Sequence, residues 1–308
     1  MLDVKSMVLV RVTQAAVLAG PHRHSVTLVV GRVGGAGEGR RGGGTGKPAP
    51  QQGVGAVSAV VDSGGLLDGG AVPGAGQDVV ALYREPYGPV HSSGATGLRG
   101  VALEEFGPVS EPVPYRGRKG IITYWPVATR EQTVVCGSLR QWRLAVELDF
   151  EPVWVAFSAG PVELRWRAGG RLRRWRPDFL ARTADGVREV LVLKPSAQES
   201  LPASRLEVLE AVARAAGWGV RQVREPSGLR GRNLGWLAGY RFPAGDEEDQ
   251  ERALLEAFRA PTGLRAGVAA SGLDELTGLD LAYRMLWQRR RLFDITQPLL
   301  PDAVAWTA

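Results

Sequence analysis

A single cysteine, Cys136, and three histidines are all the chain has of the residues that build disulfides and soft metal sites. One thiol excludes an intrachain disulfide and a cysteine-built zinc site, and fits a reducing cytoplasm. No apolar run approaches the roughly 20 residues that span a bilayer, so no membrane partner is expected. The N-terminal apolar stretch is interrupted by Asp3, Lys5 and Arg11 and followed by His22-Arg23-His24, which argues against a signal peptide. Acidic residues are outnumbered, 32 against 38 Lys and Arg, for a net charge of +6. The cations are almost all arginine, whose planar fork suits bidentate contact with phosphate, so a nucleic-acid partner is expected. An arginine-rich codon bias would leave the same mark. A length of 308 residues allows two modest domains and a tail.

Aromatic residues are scarce in the first third. Between Gly31 and Gly100 stand 21 of the 41 glycines, with Tyr83 and Tyr87 as the only aromatics. The run Gly34 to Gly46 cannot bury enough surface to offset its ordering entropy. Residues 1–105 therefore read as a disordered, low-complexity extension, either a basic arm touching DNA phosphate or a segment without a role. Order is expected to begin near Pro112.

What is present is organised around Leu164 to Pro195. Two β-type runs flank the turn-forming Ala184-Asp185-Gly186. The first carries Pro177-Asp178 and ends in Phe179-Leu180-Ala181. The second, Arg188 to Lys194, is mostly apolar, as expected of a strand buried on both faces. An aspartate at the tip of one strand and a lysine on the next can build a divalent-metal site. Arg165, Arg167, Arg171, Arg173, Arg174, Arg176 and Arg182 crowd the same stretch. They are candidates for phosphate contact if they share one face, or a solvated edge that resists aggregation if they do not.

Around this centre the elements follow in order. Tyr115 to Trp125 reads as a strand pair around Gly117 to Gly120, or as an extended arm. Ser138 and Gln141 form a capping box ahead of a helix over Leu139 to Leu148. Val153 to Phe157 and Val162 to Trp166 read as strands. Leu206 to Ala216 reads as an amphipathic helix stopped by Gly217, followed by an edge strand over Trp218 to Val223. Past the acidic turn Gly245 to Glu251 come a helix over Arg252 to Phe258, a loop-like Gly263 to Gly278 and a helix over Asp280 to Arg291. A two-stranded wing from Phe293 to Ile295 and Val304 to Trp306 closes the chain.

The series of capped helix, Leu148-Asp149-Phe150-Glu151-Pro152, strand, Gly160-Pro161-Val162-Glu163, strand, Pro177-Asp178 and Leu193-Lys194-Pro195 resembles the TnsA-type endonuclease subunit of heteromeric transposases. That family belongs to the PD-(D/E)xK superfamily. The resemblance covers about Tyr115 to Trp306. It implies an α/β, restriction-endonuclease-like core at 106–245, a central mixed sheet flanked by helices. A small helical or winged-helix-like domain at 246–308 is implied beyond it. It further implies cleavage of double-stranded DNA at transposon ends with Mg²⁺ or Mn²⁺, beside a DDE-type transposase subunit. Residue by residue, Asp178 matches the metal-binding aspartate and Lys194 the lysine. Gln141 stands where the family has a helix glutamate, and Val192 where it has Asp, Glu or Gln. The expected site is thus Gln141, Asp178 and Lys194, with Asp178 on the metal. A carboxylate migrated to Glu207 or Glu210 could complete it. The alternative is a subunit of the same fold that binds DNA and transposase without cutting.

Overall fold

The computed structural model describes residues 78–306, apart from 129, 196–200, 243, 244 and 246. Most of the N-terminal glycine-rich extension lies outside these residues. Its last part, residues 78–105, corrects the expected boundary. Strand β1 (Val80–Arg84) pairs antiparallel with β2 (Val90–Gly94) and, on its other edge, with a strand some eighty residues later in the chain. Two short 3₁₀ turns follow, over Ala95–Leu98 and Leu103–Glu105, and bury Leu98 and Leu103 completely. Glycine content hid this because a five-residue strand needs little apolar sequence when its pairing partner is distant.

Strand β3 (Thr123–Pro126) pairs with β4 (Thr133–Cys136), not within the expected Tyr115–Trp125 hairpin. Helix α1 (Leu139–Phe150) starts at the expected Ser138 cap, whose hydroxyl accepts from the Gln141 amide at 3.2 Å. Strands β5 (Trp154–Ala159), β6 (Val162–Ala168), β7 (Arg171–Trp175), β8 (Phe179–Thr183) and β9 (Arg188–Leu193) come next, then α2 (Ala203–Ala216) and β10 (Gly219–Val223). Gly217 ends α2 in the left-handed region at φ 77°, as its position predicts.

The strands divide between two four-stranded sheets, ordered β2-β1-β6-β7 and β10-β9-β8-β5. In the second, β5, β8 and β9 are antiparallel neighbours, whereas β9 and β10 run parallel with α2 as their crossover. Helix α1, strands β5, β8, β9, helix α2 and strand β10 thus make one helix–strand–strand–strand–helix–strand unit of α/β type. The β6–β7 hairpin is inserted into it and joins the other sheet.

Both faces of the β10-β9-β8-β5 sheet are buried where β8 and β9 run through it, which is why β9 is apolar at successive positions. Phe179, Ala181, Leu191 and Leu193 pack into a core with α1. Leu180, Val190 and Val192 pack into another with α2, Leu164, Trp166, Leu98 and Leu103.

The chain continues through α3 (Gly228–Leu237), α4 (Glu248–Ala257), β11 (Thr262–Gly263), α5 (Leu264–Ser271), α6 (Glu275–Trp287), β12 (Leu292–Phe293) and β13 (Val304–Trp306). The wing strands do pair, and β11 joins them as a third. The loop expected over Gly263 to Gly278 instead holds α5 and the first turn of α6. Gly267 is there for close packing: a Cβ on it would sit 2.3 Å from the Phe258 ring. No core boundary falls at residue 246, because Leu254, Phe258, Leu281 and Trp287 share one buried cluster with α1 and the sheet. Trp287 lies 5.4 Å from Phe150, ring centre to ring centre. No helix among the described residues is long and apolar enough to cross a membrane.

Candidate functional site

Three strand ends converge beside the N-terminus of α1: the start of β8, the end of β9 and the end of β10. Asp178 immediately precedes β8, and its carbonyl accepts from the Gly160 amide at 2.9 Å. Both carboxylate oxygens of Asp178 are engaged. Oδ2 accepts from the Leu193 backbone amide at 2.8 Å, and Oδ1 from Gln141 Nε2 at 3.1 Å. The structure thus brings Asp178 and the helix glutamine Gln141 together from 37 residues apart.

The way they meet differs from the expectation. Gln141 Oε1 accepts from the Gly137 amide at 2.8 Å, so the side chain must turn its NH₂ toward Asp178. The neutral oxygen expected to help hold a metal points at a backbone donor instead. Val192 is buried in the core under α2. Lys194 extends the parallel ladder, its amide donating to the Val223 carbonyl at 2.8 Å. Its ammonium is in no ion pair among the described residues. Glu207 and Glu210 are exposed on α2, whose buried face is Val208, Leu209, Val212, Ala213 and Ala216. They are not the migrated acid. Glu147 is bound to Arg230 at 2.8 Å, on a different side of α1.

Sequence reasoning missed Arg140 and Glu225. Glu225 lies two residues past β10, and the Arg140 fork grips it with Nε to Oε1 at 2.7 Å and Nη2 to Oε2 at 2.8 Å. The same Nη2 donates to the Lys194 carbonyl at 2.5 Å. The one available signal was an acid just beyond the C-terminal end of a strand parallel to the lysine strand. A ligand crevice commonly opens outside that edge of an α/β sheet.

The electrostatics follow from this packing. Burial pushes the Asp178 carboxyl above the usual aspartate range; the Leu193 amide, Gln141 and the Arg140 charge pull it back, and the Glu225 charge adds to the rise. Glu225 is held below the usual glutamate range, chiefly by its hydrogen bonds from Arg140. A raised folded value means that Asp178 favours the fold below the ordinary aspartate range, about pH 4, and that this contribution is lost as pH rises through the raised value. Asp178→Asn, which keeps an acceptor for Leu193, should therefore gain stability relative to the parent as pH is raised from acid toward neutral. Thermal melts of both proteins across that range test this. A melting-temperature difference flat with pH would show that the carboxyl is not held away from water.

The arginines of the inserted hairpin divide by register. Arg165 lies opposite Arg174 and Arg167 opposite Leu172, whereas Trp166 lies opposite Arg173 and Ala168 opposite Arg171. Paired residues share a face and successive ones alternate, so Arg165, Arg167 and Arg174 share the outer face. Arg171 and Arg173 share the side of the buried Trp166, beyond the covered part. Arg176 joins the outer set through Glu163, which binds Arg165 at 2.8 Å and Arg176 at 3.2 Å. The outer face holds four guanidiniums against that one carboxylate. Arg182 belongs elsewhere, bound to Glu104.

No protein-family model matches the chain, and no curated protein sequence matches it. The metal implied by the resemblance must be judged on the residues themselves. Mg²⁺ takes oxygen ligands and needs their charge. Here both Asp178 oxygens face N–H donors, Gln141 offers N–H, Val192 is in the core and Glu225 is already neutralised. No group of three His, Cys, Asp or Glu among the described residues is placed to hold a metal. The donor set does not fit Mg²⁺ or Mn²⁺.

Proposed function

We propose that this chain is a DNA-binding subunit of the TnsA kind that grips duplex DNA at transposon ends, beside a DDE-type transposase subunit, without cutting it. The observation that carries the non-cutting part is the Asp178 environment, in which each group that should supply an oxygen supplies a hydrogen-bond donor or a methyl group. The mixed sheet flanked by α1 and α2, with Asp178 and Lys194 at neighbouring strand ends, agrees with a restriction-endonuclease-like core. Helix α6 with the β11-β13-β12 sheet agrees with a winged-helix-like C-terminal part. DNA binding is supported by the outer face of the β6–β7 hairpin, where Arg167 and Arg174 are in no ion pair among the described residues. Such contacts neutralise phosphate and carry little sequence information.

Cleavage and binding are tested together with the full-length chain, its cognate transposase subunit and a labelled transposon-end duplex. The expected result is retention of the duplex with no nick in Mg²⁺ or Mn²⁺. A metal-dependent nick that disappears in Asp178→Ala would overturn the reading and establish an endonuclease. Binding should depend steeply on salt. In Arg167→Ala/Arg174→Ala the slope of log affinity against log salt should fall by up to about 0.9 per lost phosphate contact. Arg171→Ala/Arg173→Ala should leave it nearly unchanged. Equal losses in both double variants would mean that the outer face is not the DNA track.

A further inference from the structure

We infer that Arg140 is the resident cation of the Asp178–Glu225 cluster: its guanidinium occupies the position from which a free cation would be bound, and removing its charge turns the cluster into a divalent-cation site. Three oxygens converge on one guanidinium, the two of Glu225 at 2.7 and 2.8 Å and the backbone carbonyl of Lys194 at 2.5 Å. A carboxylate fork with an added main-chain carbonyl is a donor set that hard divalent cations take. Asp178 stands next to this group. The neighbour of Arg140 on α1, Gln141, binds Asp178, and the neighbour of Lys194 on β9, Leu193, donates to the same carboxylate.

Local chain geometry fixes Arg140 there. It sits in the first turn of α1, whose cap on Ser138 sets the helix start. The turn places Gln141 over Asp178, and the next residue back over Glu225. Arginine stays charged at any working pH, and its planar fork matches a carboxylate edge, so a tethered guanidinium holds this place without competing from solution. It differs from a metal ion in one decisive respect. It presents only N–H donors and has no open coordination position, so it can neutralise the acids but cannot bind and activate a water. A cluster held this way keeps its shape and lacks the chemistry. The inference deepens the non-cutting reading above and rests on it for its biological meaning.

The test is Mn²⁺ binding by the full-length protein, followed by the loss of the free-ion electron paramagnetic resonance signal, with melting temperature as a second readout. Five forms are compared: the parent, Arg140→Ala, Arg140→Lys, Glu225→Gln and Arg140→Ala/Glu225→Gln. Arg140→Ala should take up Mn²⁺ at least about tenfold more tightly than the parent and be stabilised by it, and adding Glu225→Gln should weaken that uptake by about 10–100-fold. Arg140→Lys, which keeps the charge, should behave as the parent. Should Arg140→Ala not fold without metal, Arg140→Gln takes its place in the same comparison. Uptake by Arg140→Ala no tighter than by the parent, or equal uptake by Arg140→Lys, would overturn the inference and leave the non-cutting reading standing. Tight uptake by the parent itself, abolished by Glu225→Gln, would overturn both.

Discussion

A chain begun at residue 106 should fail to fold, whereas one begun at residue 78 should melt as a cooperative unit. The composition of residues 78–105 suggests a dispensable tail, but the packing argues the reverse. β1 lies between β2 and β6, so removing the segment bares the Val162–Arg165 edge of β6 and strips Leu164 and Trp166 of the apolar residues they share a core with. Leu98 and Leu103 are completely buried, and Val79, Ala81 and Ala95 are nearly so. Burying one such leucine contributes about 1.5–3 kcal/mol. Two leucines and their smaller neighbours therefore account for a large part of the roughly 5–15 kcal/mol that separates a folded domain from its unfolded chain. The segment also carries Glu104, the acid between two arginines of the neighbouring sheet. Circular dichroism melts and gel filtration of the two truncations decide the matter. The shorter should lack a sharp transition and elute as aggregate; an unchanged melting temperature would show that the segment is an accessory.

How far the fold could be read depended on the sequence distance between partners. The Ser138–Gln141 cap is a contact between neighbours, and its spacing revealed it. So did the β8–β9 turn, where Gly186 takes φ 87°, and the stop of α2 at Gly217. Each is a local event whose physics fits within a few residues. β1 was not legible, because its pairing with β6 is decided far along the chain and its own residues are ordinary. α5 was hidden by Gly267, which reads as a breaker until the Phe258 ring is known to lie against it. The candidate site divides the same way. Asp178 and Lys194 flank a visible hairpin and drew attention, and Gln141 followed from the cap. Arg140 and Glu225 are 85 residues apart and meet only because β10 runs parallel to β9. The direction in which the Gln141 amide faces could not be read at all, since the Gly137 amide that settles it belongs to the backbone.

Removing the charge of Glu104 should be the most damaging single substitution outside the apolar core. The residue is completely buried, and Arg182 Nε donates to it at 2.7 Å and Arg188 Nε at 3.1 Å. It thus ties the 3₁₀ turn at Leu103–Glu105 to β8 and β9, whose register sets Arg182 opposite Arg188. Two guanidiniums on a cross-strand pair repel one another, and Glu104 is what makes their position tolerable. Glu105 helps from one side only, taking Arg182 Nη2 at 2.9 Å. In Glu104→Ala the two charges lose their shared counterion beside apolar Leu98 and Leu103, a kind of change that costs about 3–5 kcal/mol. The lower end applies, because Arg182 and Arg188 keep side-chain exposures of 27% and 24% and can draw in water. Glu104→Gln, which keeps the shape and an acceptor but loses the charge, should fall between Glu104→Ala and the parent. The stronger test is the triple variant Glu104→Leu/Arg182→Met/Arg188→Met. If the damage comes from stranded charge, deleting all three charges should restore most of the stability lost in Glu104→Ala, since apolar replacement of a whole buried ionic group is often neutral or better. Denaturant midpoints of the four proteins measure this directly. A triple variant as unstable as Glu104→Ala would mean that the turn is held by the geometry of the fork and not by the balance of charge.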